Sequence, residues 1–372
     1  MKNPNMETLA KNLVGYSISV QPGEKVLLDL GPKEPEIAKA LVRAVYAAGG
    51  KPFLTYENQE VMREWLTQAD ADQIRLEAAF EKMRMEAMDC YIAIRAKDNI
   101  YELSGVPEEK MRLYNTLLLE PVHHEIRVAK TKWVVLRYPN HAMAQEAKMS
   151  TEAFEEFYYK VCNLDYAKMS VAMDPLHRLL SESDRVRISA PGTELSFSIK
   201  GIGAVKCDGH CNIPDGEVYT APVIDSVEGE IRYNLPSSYQ GQVFENVHFV
   251  FEKGKIVHAT AGPKTEALNK ILDTDPGARY IGEFAFGLNP HILWPINDIL
   301  FDEKIAGSFH FTPGACYADA YNGNKSAVHW DLVMSLRPEA GGGEIYLDDR
   351  LIHKDGRFCI KELEALNPEN LV

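Results

Sequence analysis

Six side chains in the second half of this 372-residue chain could grip divalent cations: Glu217, Glu283, Glu303, His310, His329 and Asp331. Four carboxylates with two imidazoles suit ions of borderline hardness, such as Zn²⁺, Co²⁺ or Mn²⁺, better than a thiolate site would. His-x-Asp and His-x-Glu put two ligands on one face of a strand, because side chains alternate with period two. The chain has three such pairs, where chance alone supplies one or two, so each needs its own context. His123/Glu125 falls in a helical stretch, where i and i+2 do not share a face. His353/Asp355 runs into Asp355-Gly356, a turn signature that explains the aspartate without a metal. His329/Asp331 differs, because Val328, Trp330 and Leu332 alternate with the pair and read as the buried face of a strand.

The other candidates come from three segments. Glu217 follows Pro214-Asp215-Gly216 and precedes Pro222, so it projects from a fixed loop, though a solvated turn glutamate would look the same. Glu283 stands among Ile281, Phe284, Phe286 and Leu288. An ionised group there needs a cation or a partner. Asp302-Glu303, Phe309-His310-Phe311 and Gly314 to Tyr317 add a carboxylate, an imidazole and a phenol; a histidine between two phenylalanines is also a common core residue.

Two other chemistries are weaker. Cys207, His210 and Cys211 are three soft ligands, but a structural zinc site takes four and no second pair at suitable spacing follows. The turn Leu30-Gly31-Pro32-Lys33-Glu34 stands where a dinucleotide fold carries Gly-x-Gly-x-x-Gly, and that motif is missing.

The elements that must position these groups fall into two regions. Val26 to Leu30, a helix with Ile37, Leu41 and Val45 on one face, and Phe53 to Tyr56 read as strand, helix, strand. A long helical stretch over 59–88 leads to a strand Cys90 to Ile94, and another helical region from Glu108 leads to Trp133 to Tyr138. Alternation of this kind implies right-handed crossovers and a parallel sheet. After the helical segment 151–182 short alternating runs take over, among them hairpins at 242–260 and 345–352. The expectation is an α/β N-terminal domain with a parallel sheet, residues 1–182, serving as scaffold and helping to shape the substrate cavity. A mostly β (α+β) metal-binding catalytic domain follows, residues 183–372.

Composition narrows the partners. Forty Lys and Arg against 54 Asp and Glu leave a net charge of −14 without a basic run, which argues against nucleic acid and anionic membranes. No apolar run has the length of a membrane span or of a signal segment, and six scattered cysteines read as free thiols. A soluble cytoplasmic protein is expected.

The segments together resemble the aminopeptidase T family of metallopeptidases, dinuclear exopeptidases of the leucyl aminopeptidase type. The likeness rests on Pro214-x-Gly-Glu-Val-x-Thr-x-Pro222, Gly282-Glu283, Asp302-Glu303, His310 with Gly314 and Tyr317, and Asn324-x-Ser-Ala-x-His329-Trp-Asp331. Fainter likeness extends through most of the chain. Asp302-Glu303 stands two residues farther from His310 than in the family's pattern, and the connection from Tyr317 to His329 is shorter. The resemblance implies Glu217, Glu283, Glu303, His310, His329 and Asp331 as metal ligands and Tyr317 as a catalytic phenol, with Glu283 also passing the proton to the leaving amine. It further implies two divalent metal ions (Zn, Co, Mn or Mg), peptide substrates with a free N-terminus, and a homodimer. The rival expectations are another metal-dependent amidohydrolase and a catalytically inactive metal-binding homologue.

Overall fold

The computed structural model describes residues 3–31, 35–95, 99 and 101–372. Pro32, Lys33 and Glu34 of the first strand-to-helix turn lie outside them. The chain divides into two compact units, residues 1–163 with 209–213, and residues 164–208 with 214–372.

The first unit carries the expected parallel sheet. Strands β1 (Lys25–Leu30), β2 (Lys51–Tyr56), β3 (Cys90–Arg95) and β4 (Lys132–Arg137) run parallel in the order β2-β1-β3-β4, and the short strand Asn212–Ile213 adds to the β4 edge. β1 and β3 are buried along nearly their whole length, as strands covered on both faces must be. Helix Pro35–Ala47 buries Ile37, Leu41 and Val45. The stretch 59–88 is two helices, Gln59–Gln68 and Ala71–Glu86. Asp70 separates them and caps the second by accepting from the Gln73 amide.

The second unit is mostly strand. An eight-stranded sheet runs in the order Lys255–Thr260, His248–Glu252, Glu228–Arg232, Thr193–Ser198, Arg185–Ala190, Glu344–Leu347, Arg350–Lys354, Arg357–Phe358. The run expected as one strand over 242–251 is broken into Gln242–Phe244 and His248–Glu252. Asn246 turns the chain between them at φ 53°.

A five-stranded sheet in the same unit has the order β9-β8-β7-β6-β5, from β5 (Val205–Cys207), β6 (Glu217–Thr220), β7 (Ile281–Gly287), β8 (Ser308–Pro313) and β9 (Val333–Ser335). One face is aromatic. Phe284 and Phe311 meet Phe197 of the larger sheet at 5.2 and 5.1 Å between ring centroids, and Phe251 reaches Phe311 at 5.9 Å. Each buried Phe contributes roughly 1.5–3 kcal/mol from burial, so this seam anchors the strands that carry the site. Among the described residues no helix is long and apolar enough to cross a membrane.

Candidate metal centre

Antiparallel register decides which side chains share the other face. Glu283 lies opposite Thr312, Ala285 opposite both His310 and Tyr219, and Gly287 opposite Glu217. With period-two alternation, Glu217, Tyr219, Glu283, His310 and Thr312 all stand on the face away from the phenylalanines. Small residues at 285 and 287 leave room between them. At Gly287 an added Cβ would lie 2.3 Å from the Ile305 carbonyl oxygen and 3.0 Å from that of Glu303. That glycine therefore lets the 303–305 segment press onto the face.

His329 and Asp331 arrive from a less regular segment. Expected as a strand, 328–332 forms only an isolated bridge, Gly314 to His329, before β9 begins. Backbone bonds from Ala315 to Val328, Trp330 to Pro313 and Phe311 to Leu332 still keep it extended beside β8. The alternation survives, with Val328, Trp330 and Leu332 buried and His329 and Asp331 on the opposite side. Asn324 of the same motif is a buried brace, its amide donating to the carbonyls of Gly277 and Gly314.

The donor atoms converge in two groups sharing one residue: Glu217, Glu283 and His310, and Glu283, His329 and Asp331. Glu283 Oε1 lies 3.2 Å from His310 Nε2, and Glu283 Oε2 lies 3.3 Å from His329 Nε2. Glu217 Oε2 stands 3.6 Å from His310 Nε2, and Asp331 Oδ1 3.3 Å from His329 Nε2. Both imidazoles are held from behind, His310 through Nδ1 to the Glu303 carbonyl (3.2 Å) and His329 through Nδ1 to the Ala315 carbonyl (2.8 Å). The Nδ1–H bond to a carbonyl fixes each ring and turns its Nε2 toward the carboxylates, the orientation that metal-bound histidines have. Thr312 donates to Asp331 Oδ1 at 2.7 Å and aims it.

Fit to a cation can be judged from what the face leaves unsatisfied. Glu217 Oε2 and His329 Nε2 are buried without a hydrogen-bond partner. Burial opposes charge on His310, yet the hydrogen bond to Glu283 and the field of Glu217 raise it to about 9. His329 rises to about 12, burial being outweighed by the nearby carboxylates of Asp331 and Glu283, each 3.3 Å from Nε2. Asp331 and Glu283 are held below the ordinary carboxylate range, against burial, by those imidazoles. The cluster calls for positive charge between its nitrogens and oxygens, and divalent ions with nitrogen and oxygen ligands fit it.

Glu303 joins neither group. Its carbonyl orients His310, while its carboxylate pairs with Lys304. Burial, then the fields of Glu217 and Asp331 against that of Lys304, raises the Glu303 carboxyl well above its usual range. Lys304, absent from the sequence-based set, is fully buried with its ammonium 3.5 Å from Glu217 Oε1 and 3.9 Å from Asp215 Oδ1. It supplies a built-in cation to the third group of possible ligands, Cys207, Asp215 and Glu217. Of Cys207, His210 and Cys211 only Cys207 joins a group of possible ligands among the described residues; His210 packs on Tyr16 and Cys211 is exposed.

Tyr317 is half-exposed, its ring 4.8 Å from that of His329 and 5.5 Å from that of Tyr219. Burial of its inner side and the fields of Glu283 and Asp331 keep the phenol protonated. Thr312 could have been found in sequence as the residue two beyond His310. Lys304 had no such signal, because only the cross-strand glycine buries it.

A parallel α/β unit followed by a β-rich unit with this carboxylate and imidazole face is the architecture of a candidate metal-dependent enzyme. Residues 2–358 match the thermophilic metalloprotease (M29) family, and the chain belongs to it. It is similar to aminopeptidase PepS of Streptococcus thermophilus, at 26% identity over 95% of each chain. Aminopeptidase T of Thermus thermophilus is 25% identical over 89% of this chain and 92% of its own. Among solved structures, wild-type AmpT from Thermus thermophilus matches with a TM-score of 0.75 and 22% identity, over 96% of this chain and 99% of that one. That likeness bears on the fold and agrees with the two expected classes of architecture.

Proposed function

We propose that this metalloprotease-family chain is an aminopeptidase that removes the N-terminal residue of peptides with the help of two divalent ions. One would be held by Glu217, Glu283 and His310, the other by Glu283, His329 and Asp331. The observation that carries this reading is the division of Glu283, whose two oxygens face two different imidazoles. Zn²⁺, Co²⁺, Mn²⁺ and Mg²⁺ are the candidate ions. When bound, such ions act as Lewis acids and lower the pKa of water toward neutrality.

The chain's own residues supply the remaining chemistry. Tyr317, protonated and beside His329, donates a hydrogen bond to the oxygen that gains charge as the peptide carbonyl is attacked. Glu283 and Asp331, held ionised, would ligate the ions, and the substrate's free terminal amine would be recognised there. Glu283 is the sequence-based choice to pass a proton to the leaving amine. On this reading residues 183–372 carry the catalytic groups and 1–182 the scaffold. The homodimer follows from the family resemblance, and six free cysteines suit the cytoplasm.

The test is hydrolysis of aminoacyl-arylamides and their N-acetylated forms by chelator-stripped protein, with and without each ion. Activity restored by metal, confined to free amines and lost in His329→Ala supports the proposal. Cleavage of the acetylated forms indicates another amidohydrolase instead, and stoichiometric metal without turnover indicates a metal-binding homologue.

A further inference from the structure

The first unit holds a cleft of about 370 Å³ that shares no residue with the metal centre. Its place in the fold is informative. β1 has β2 on one side and β3 on the other, so the chain leaves β1 toward one edge and later crosses back. In open parallel sheets ligands bind beyond the carboxyl ends of the strands at this switch point. The cleft opens beside this point and runs back over the sheet face, from Thr55 and Tyr56 at the end of β2 and Asp29 near the end of β1 to Leu27 and its neighbour Tyr91, the second residue of β3.

The lining is acidic and aromatic. Asp29 is 3% exposed. Its Oδ2 accepts from the Tyr91 hydroxyl at 2.5 Å and pairs with Arg95 at 2.7 Å, while its Oδ1 has no hydrogen-bond partner. Glu57, Glu77 and Glu81 add three carboxylates toward the mouth, and Trp65 and Tyr56 add aromatic surface. His123 brings no compensating charge, because burial and Arg127 lower it to about 4. Among the described residues these carboxylates form no group that could hold a metal ion. They are spread along the cleft, an arrangement that suits a longer molecule.

We propose that this cleft binds a small organic cation, its ammonium group meeting Asp29 and the glutamates and its apolar stem lying against Trp65 and Tyr56. A buried carboxylate oxygen without a donor calls for one, and an ammonium beside aromatic faces gains cation–π attraction as well. Size agrees, since pockets for small molecules start at roughly 300 Å³.

The experiment titrates the metal-loaded, full-length enzyme with phenethylammonium, with 3-phenylpropionate as an anion of similar size, and with Mg²⁺, by calorimetry and tryptophan fluorescence. Saturable binding of the ammonium alone is expected. It should persist in His329→Ala and weaken about tenfold or more in the double variant Glu57→Gln/Glu81→Gln, whose changes lie toward the mouth and spare the sheet. Asp29→Asn should weaken it further, with circular dichroism checking its fold. Equal binding of both organic ions, unchanged binding in the double variant, or competition by Mg²⁺ overturns the proposal. Loss in His329→Ala places the ammonium at the metal centre instead, and overturns it too.

Discussion

The two faces of the five-stranded sheet are made by the same strands and ask opposite things of their residues. On one side Phe284, Phe286, Phe309 and Phe311 are fully buried in an aromatic seam. On the other, Glu283 and His310 are just as buried, at 3% and 1% exposed, yet they converge with Glu217 and His329 around unsatisfied atoms. Burial therefore does not separate core from site here. What separates them is whether the buried groups complete one another, and the site face does so only with added positive charge.

The largest expected effect breaks the site face alone. Glu283→Gln keeps the volume and removes the charge that both imidazoles share, so kcat/KM should fall by about 10³ or more and metal content with it. The metal-free variant should melt below metal-free wild type, because His310 and His329 lose the buried carboxylate that pairs with them. Activity within tenfold of wild type would end the shared-ligand assignment.

Phe284→Ala tests the other side. A cavity in the aromatic seam should cost about 3–5 kcal/mol in denaturant unfolding, while folded molecules keep their metal stoichiometry. Lost metal in folded protein would show that the two faces are not separable.

Protonation gives a finer separation. His310 and His329, raised to about 9 and about 12, carry protons at neutral pH until metal displaces them. Metal binding at pH 7 should release close to two protons, about one per imidazole, and affinity should climb as pH rises toward 9. Calorimetry in buffers of different ionisation enthalpy reads this directly. Release of no protons would mean that the imidazoles are already neutral in the metal-free protein at pH 7.

How much of this was legible follows from the same contrast. The apolar alternation around Glu283 and around His329 and Asp331 marked both strand faces, because period-two burial is a local pattern. The helix break at Asp70 was written locally too, as Asp70 with Gln73 three residues on, but reading 59–88 as one helical stretch passed over it. Lys304 and the two tethering carbonyls were not. A lysine after Asp302-Glu303 looks solvated until Gly287, on another strand, allows that segment to close over the face. Nor did the sequence tell the two roles of Glu303 apart, since the carbonyl that fixes His310 leaves no trace in a side-chain pattern.

The smallest expected effect compares one side-chain type across the sheet. His353 packs edge-on to Phe286 and Phe358, 6.0 and 5.0 Å between ring centroids, fully buried on the aromatic side. Burial lowers it to about 3, where His310 on the site face rises to about 9. A depressed folded-state value means that only the unfolded chain takes up the proton between its ordinary pKa near 6.5 and about 3. His353 is thus neutral in its effect above that window and destabilising as pH falls through it. Between pH 6 and 5 the loss should be about 1 kcal/mol, and His353→Leu should remove it. The comparison is the difference between wild-type and variant unfolding free energies at the two pH values, which cancels the other titrating groups. An unchanged difference would show that His353 takes up its proton inside the fold, and that the aromatic side tolerates a charge that its burial argues against.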